Sequence, residues 1–219
     1  MPTIFQQLED AASFFQSKLS QYEAVDEGHS YSWPNFVYKS NSFRRAHLDI
    51  VDARESKKLY MMHLCIFPRV NDPSPIFGFD IIAGPNKVTG AFHDLSPVAG
   101  DTPLDTWFAK RTAQQHWSKN RELPEWARNI FSPNIVAAGN IQEEEELTRL
   151  LTFAFENLLF YIEGLGGLGL TDYTERQNYY CQNQKQNPHT PRVMSALGLD
   201  EAEVAEFIHE CLFPEIAYV

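Results

Sequence analysis

The sequence predicts an α+β fold in which one antiparallel sheet is covered by helices on both faces. Three observations predict it. Residues 33–98 hold short runs rich in β-branched and aromatic side chains, separated by turn formers, with no helical pattern between them. Helical periodicity precedes that stretch and dominates the chain beyond residue 98. Apolar content of 43%, with 16 Phe, 9 Tyr and 4 Trp in 219 residues, suffices for one sizeable core. Residues 1–219 are therefore expected to form one domain.

Taken in order, residues 4–19 place Ile4, Leu8, Ala11, Phe15 and Leu19 at spacings of three and four, the mark of an amphipathic helix. Strands are expected at 36–38, 46–51, 59–67, 75–83 and 87–95. Ser40-Asn41-Ser42, residues 52–57, Asn71-Asp72-Pro73 and Gly84-Pro85-Asn86 supply the turns between them. A helix over 102–117 would open on Pro103, which suits a first helical position. Residues 134–138 fit one more strand. Residues 142–163 give the clearest helix, with Leu147, Leu150, Leu151, Ala154, Leu158 and Ile162 on one face. Helices over 171–184 and 200–212 complete the chain.

Composition excludes several classes. The balance of 18 basic against 29 acidic residues gives a net charge of −11, which disfavours nucleic acid and anionic membrane as partners. Much of the acidic excess lies at two helix starts, residues 143–146 and 200–206, where it complements the helix dipole. No apolar run approaches a membrane span, and residues 1–8 lack the basic start and apolar core of a secretory signal, so a cytoplasmic protein is expected. Cys65, Cys181 and Cys211 are too scattered for a disulfide framework or a metal knuckle and read as small buried residues. Gly164, Gly166 and Gly169 match G-x-G-x-x-G but follow a long helix rather than a strand, so they read as a helix-terminating loop.

The ionisable residues on the expected strands carry the chemistry. His47 and Asp49 are two apart and leave the same face of one strand. His63 and Asp80 each sit within a strongly apolar run, where a carboxyl is costly to bury unless paired or protonated. One isolated histidine reads as a core residue. Four such groups on adjacent strands point to a proton-handling site, with a metal site built from the same four as the alternative.

The run Pro75-Ile76-Phe77-Gly78-Phe79-Asp80-Ile81-Ile82-Ala83-Gly84-Pro85 resembles the central motif of the ferredoxin-dependent bilin reductases. Phe43-Arg44-Arg45-Ala46-His47-Leu48, His63-Leu64-Cys65 with Phe67-Pro68, Asp94-Leu95-Ser96-Pro97 and Arg121-Glu122-Leu123-Pro124 fit the same pattern. Tyr180-Cys181-Gln182, Arg192-Val193 and Leu212-Phe213 extend it over nearly the whole chain, in order. Within the family the chain looks most like the phycocyanobilin-forming branch. The resemblance implies a three-layer α/β/α sandwich around a central antiparallel sheet. It implies biliverdin IXα as substrate and reduced 2Fe–2S ferredoxin as electron donor. No permanently bound cofactor is implied, since the conjugated substrate itself stores each electron as a radical. Asp80 matches the family's central aspartate and His63 the histidine sharing its proton network, with Asp49 as a further catalytic carboxyl. His47, Arg44, Arg45, Thr89, Asn187 and Arg192 fall at substrate-binding positions, the arginines suiting propionate carboxylates. A carboxyl in Asp80's apolar setting is expected to resist ionisation and remain a usable acid.

Two departures bear on the product. The phycocyanobilin-forming branch has a glutamate where this chain has Asp49, and that glutamate is tied to reduction of the D-ring vinyl group. The shorter side chain favours phycoerythrobilin, made by four-electron reduction at the 15,16 bridge and the A-ring. Near Asn187-Pro188 relatives carry an aspartate, whereas this chain has no carboxylate between Arg176 and Leu199, leaving His189 as the nearest substitute. Acidic ferredoxin would need a local basic face, for which Lys57, Lys58, Lys110, Arg111, Lys119 and Arg121 are the candidates. A monomer is expected. The rival readings are a phycocyanobilin-forming reductase, a non-catalytic bilin carrier or lyase, and a scaffold protein whose buried ionisable groups are accidental.

Overall fold

A computed structural model describes residues 2–217. Its core is one seven-stranded sheet, the strands in chain order and every neighbouring pair antiparallel. The strands are β1 (Glu23–Ala24), β2 (Asn35–Lys39), β3 (Phe43–Ala53), β4 (Leu59–Pro68), β5 (Ile76–Gly84), β6 (Lys87–Ser96) and β7 (Val136–Ala138). Short connections make such a meander the natural outcome, because no segment between consecutive central strands is long enough for a parallel crossover.

Helices cover both faces, as the alternation of apolar positions demands. On the first face α1 (Ile4–Leu19), α3 (Pro103–Thr112) and α5 (Glu144–Gly164) pack against Leu48, Met62, Leu64, Phe79, Ile81 and Ala91. On the second, α6 (Thr174–Gln184), α7 (His189–Leu197), α8 (Glu201–Glu206) and a π-helical turn, Phe207–Leu212, meet Val51, Cys65, Phe67 and Ile76. Two single turns complete the chain, α2 (Arg54–Lys57) and α4 (Glu125–Arg128). Cys65, Cys181 and Cys211 are all free and buried, as expected.

Helix starts follow the sequence. Thr3 caps α1 and Thr102 caps α3, each also donating its own backbone N–H to the side chain of the third helical residue, and Pro103 holds the first turn of α3. The ends are less regular. The helix expected to reach Trp117 stops at Thr112, and the segment beyond it is anchored elsewhere, the Glu146 carboxylate holding the Ser118 N–H and hydroxyl at 2.7 Å each. The helix expected over 200–212 is α8 followed by the π-helical turn. α7 is absent from the sequence reading. Pro191 obscures it, yet stands in the first turn, where no backbone donor is needed. The glycine-rich segment after α5 is a loop: Gly166 has φ +104° and donates its N–H to Asp72 Oδ2 at 2.7 Å.

A buried polar chain ties the first face to the middle of β5. Trp107 Nε1 donates to Asn157 Oδ1 (3.2 Å), Asn157 Nδ2 to His93 Nε2 (3.0 Å), and His93 Nδ1 to the Gly78 carbonyl (2.8 Å). The carbonyl fixes the histidine tautomer, and burial pushes its value down to about 4, so the ring is neutral. His93→Leu removes the middle of this chain and leaves two buried groups unpaired. It should cost about 2 kcal/mol in urea unfolding, and an unchanged midpoint would show the chain to be expendable.

Candidate active site

Strand register assembles the ionisable residues into one line across the second face. Asn35, Asp49, His63, Asp80 and Phe92 are consecutive cross-strand partners on β2 to β6. Such partners bring their β-carbons within about 5 Å. The helices of this face leave the centre of the sheet uncovered, so that Met61, His63, Gly78, Asp80, Ile82 and Phe92 all keep partial access to solvent. That strip is a shallow, largely apolar groove with a polar line across it.

His63 Nδ1 and Asp80 Oδ1 are 2.7 Å apart. The Asp80 side chain is 44% exposed and that of His63 12%. The expectation of a carboxyl sunk in an apolar run is therefore corrected for Asp80. Its apolar sequence neighbours Phe79 and Ile81 point to the opposite face. Burial alone pushes the His63 imidazolium down, but the charge and hydrogen bond of Asp80, with Asp49 behind them, outweigh it and the net direction is up. His63 Nε2 is buried with no protein partner among the described residues. The Phe213 ring meets His63 edge-on at 5.7 Å.

The desolvated carboxyl belongs to Asp49, which is 3% exposed. Burial raises it to about 6, although hydrogen bonds from Asn35 and Trp33 oppose the rise. Asp49 Oδ1 accepts from Trp33 Nε1 at 2.7 Å and Asn35 Nδ2 at 2.9 Å. Asn35 Nδ2 also lies 2.9 Å from His47 Nε2. That bond makes Nε2 an acceptor and leaves the proton on Nδ1, which is buried without a partner among the described residues. Burial holds His47 well below the usual imidazole range, consistent with a neutral ring. The four groups thus form two linked pairs rather than a ligand cage. Among the described residues no three His, Cys, Asp or Glu side chains are arranged to hold a metal ion.

The remaining expected site residues scatter. The register of β3 shifts between Phe43 and Arg45, turning both Arg44 and Arg45 towards the second face. Arg44 stacks on Phe67 at 4.3 Å, donates from Nε to Gln177 Oε1 at 2.7 Å, and keeps a buried, unpartnered NH2 among the described residues. Arg45 is largely consumed by structure: a two-point pair with Glu27 (2.9 and 2.6 Å) and a bond to the Cys211 carbonyl (2.6 Å). Thr89 is exposed at the far end of the sheet, its hydroxyl on the Ile82 carbonyl at 3.0 Å. Asn187 accepts the His189 N–H at 3.0 Å, and His189 and Arg192 are exposed on α7.

Of the expected docking residues, Lys110 and Arg111 lie on α3 behind the first face, Arg111 paired with Glu156. Lys57 and Lys58 sit at the β3–β4 turn, at the end of the sheet where Arg121 also lies. Lys119 joins them through its carbonyl, which accepts the Gly139 N–H. Arg121 reaches further than docking requires. It lies 5.8 Å from the Phe92 ring and donates to the Thr89 carbonyl at 3.0 Å. Gly90 and Gly139 make room for it, since a β-carbon at either would fall 2.8 or 2.9 Å from its side chain. Trp33, Asn35 and Phe92 are site residues that sequence reasoning missed. Asn35 and Phe92 had only a same-face alternation to mark them, and Trp33 had no signal before the register was known.

The chain matches the family model for "Ferredoxin-dependent bilin reductase" over residues 3–214. It is 32% identical to the phycocyanobilin:ferredoxin oxidoreductase of Gloeobacter violaceus over 200 residues, 85% of this chain and 76% of that one. The enzyme of the same name from Synechococcus elongatus is 32% identical over 198 residues, 84% and 77% of the two chains. Among solved structures, PcyX superposes with a TM-score of 0.68 at 34% identity, covering 95% of this chain and 97% of its own. The fold is also that of tomato phytochromobilin synthase, solved with biliverdin, with a TM-score of 0.67 at 14% identity over 94% and 81% of the chains.

Proposed function

Since the chain belongs to the ferredoxin-dependent bilin reductase family, we propose that it reduces biliverdin IXα to phycoerythrobilin with electrons delivered singly by reduced 2Fe–2S ferredoxin. The observation that carries this reading is the line Asp49, His63, Asp80, whose His63 and Asp80 lie on an open, apolar strip of sheet and whose Asp49 end is buried beside it. A flat conjugated pigment lying on that strip meets Met61, Ile82 and Phe92 with its faces and the polar line with its nitrogens and carbonyls.

In this mechanism each electron enters the pigment and makes it basic, and a nearby acid then supplies a proton. Asp80 is the accessible donor, and His63, bonded to it through Nδ1, reprotonates it. The orphaned Nε2 of His63 finds its partner in a pigment oxygen. Asp49, raised to about 6, is a second acid near neutral pH. Four electrons and four protons complete the product, with radical intermediates between the one-electron steps. The two propionates leave neighbouring rings of the pigment and so meet one end of the strip, where the Arg121 guanidinium lies 5.8 Å from the Phe92 ring. Ferredoxin docks at the Arg121 end, where Lys57, Lys58 and Lys87 offset the net charge of −11 locally. The reading places a monomer, one reductase domain over residues 1–219, in the cytoplasm. Among the described residues no helix is long and apolar enough to cross a membrane.

The test is spectroscopic. Biliverdin should bind with a changed absorbance spectrum, and reduced ferredoxin should then convert it. A static spectrum after reduction would mark a carrier, and no change on mixing would remove the pigment altogether. The names of the relatives favour phycocyanobilin as the alternative product. Chromatography against bilin standards decides between them. Asp49→Glu extends the carboxyl by one methylene and should introduce a D-ring-reduced product. An unaltered product profile would contradict the role given to Asp49's length.

A further inference from the structure

Two donors hold one oxygen of Asp49. Trp33 donates its indole N–H to Oδ1 at 2.7 Å, and Asn35 donates to the same oxygen at 2.9 Å. Oδ2 takes no bond from any described residue, yet is not among the sealed, unpaired polar atoms. The clamp is itself braced. Trp33 is 8% exposed, stacks on Tyr31 at 5.3 Å with 12° between the planes, and meets Phe207 of the π-helical turn edge-on at 5.7 Å. An indole fixed on two sides cannot follow the carboxyl if the carboxyl moves.

We propose that Trp33 is a specificity-determining positioning residue: with Asn35 it holds Oδ1 of Asp49 so that Oδ2 alone faces the pigment, and this restraint selects the pigment carbon that receives Asp49's proton. The inference rests on the reductase reading above and extends it to a residue that touches no substrate. Side-chain length sets how far the carboxyl can reach, and the clamp sets where it points. Loss of the indole donor would free the carboxyl plane to rotate and remove one bond that favours the charged form.

Trp33→Phe keeps the aromatic stack and deletes the donor. The titratable and charged groups around Asp49 are His47 and Arg45 on β3, His63 on β4, Asp80 on β5, Cys211 on the π-helical turn and Tyr31 before β2, and all remain in the variant. In the ligand-free protein, isotope-edited infrared titration of the Asp49 carboxyl, assigned by its loss in Asp49→Asn, should move to higher pH in Trp33→Phe. With biliverdin and reduced ferredoxin, kcat should fall about tenfold at unchanged KM and the product should become a mixture. In an Asp49→Asn background the same substitution should leave the product ratio where Asp49→Asn put it. An unmoved infrared titration, a retained single product, or an equal loss in the Asp49→Asn background overturns the proposal. A parent protein that reduces no bilin sinks the reductase reading instead, and the infrared titration then still decides the clamp.

Discussion

Asp80→Asn should bind biliverdin within a few-fold of the parent affinity and turn it over about 1,000-fold more slowly. The amide is nearly isosteric and its oxygen can still accept from His63 Nδ1, so the 2.7 Å contact and the shape of the strip survive. What disappears is the carboxyl that relays a proton from His63 to the pigment. His63 Nδ1 faces Asp80 rather than the pigment, so a donor at that atom cannot substitute directly. Asp49 is fixed by Trp33 and Asn35 on a pigment carbon of its own and does not take over the one that Asp80 serves. Absorbance titration gives the binding constant, and single-turnover kinetics with reduced ferredoxin gives the rate. Radical intermediates should persist in the variant and be visible by spin resonance. Near-parent turnover would remove Asp80 from proton delivery and move the donor role to Asp49.

Arg45→Met should destabilise the protein by about 3–5 kcal/mol, measured by urea unfolding without ligand. The guanidinium is almost wholly buried and binds Glu27 at two points, while its third bond closes the π-helical turn through the Cys211 carbonyl. Removing it strands a partly buried carboxylate and an inward carbonyl together. The same turn carries Phe207, which braces Trp33, and precedes Phe213, which abuts His63. Activity should therefore fall along with stability. A variant as stable as the parent but weaker in biliverdin affinity would return Arg45 to the substrate-binding role that the sequence pattern implied.

The two arginines show why adjacent residues with one motif can part ways. In sequence they are equivalent neighbours of His47. A one-residue slip in the β3–β4 ladder lets both face the helices of the second layer, and only the partners waiting there separate them. Glu27, from the long connection before β2, claims two nitrogens of Arg45, while Arg44 lies on Phe67 and bonds Gln177; each keeps one guanidinium nitrogen without a partner among the described residues. Neither partner is within local sequence reach. The segment after α3 is likewise placed by a distant partner, Ser118 being held by Glu146 from a helix that begins much later in the chain.

By itself the sequence determined the meander, the main helices and the families of residue that matter. Alternation along strands and capping at helix starts are local, and the spacing of His47 and Asp49 already dictates a shared face. Tertiary structure alone decided which carboxyl is dry. Asp80 looked buried because its sequence neighbours are apolar, but those neighbours serve the opposite face, and its own face is left uncovered. Asp49 became the desolvated acid because the Trp33 loop and the π-helical turn close over it. Desolvation depends on what packs above a side chain, and the chain segments that do so here lie far from Asp49 in sequence.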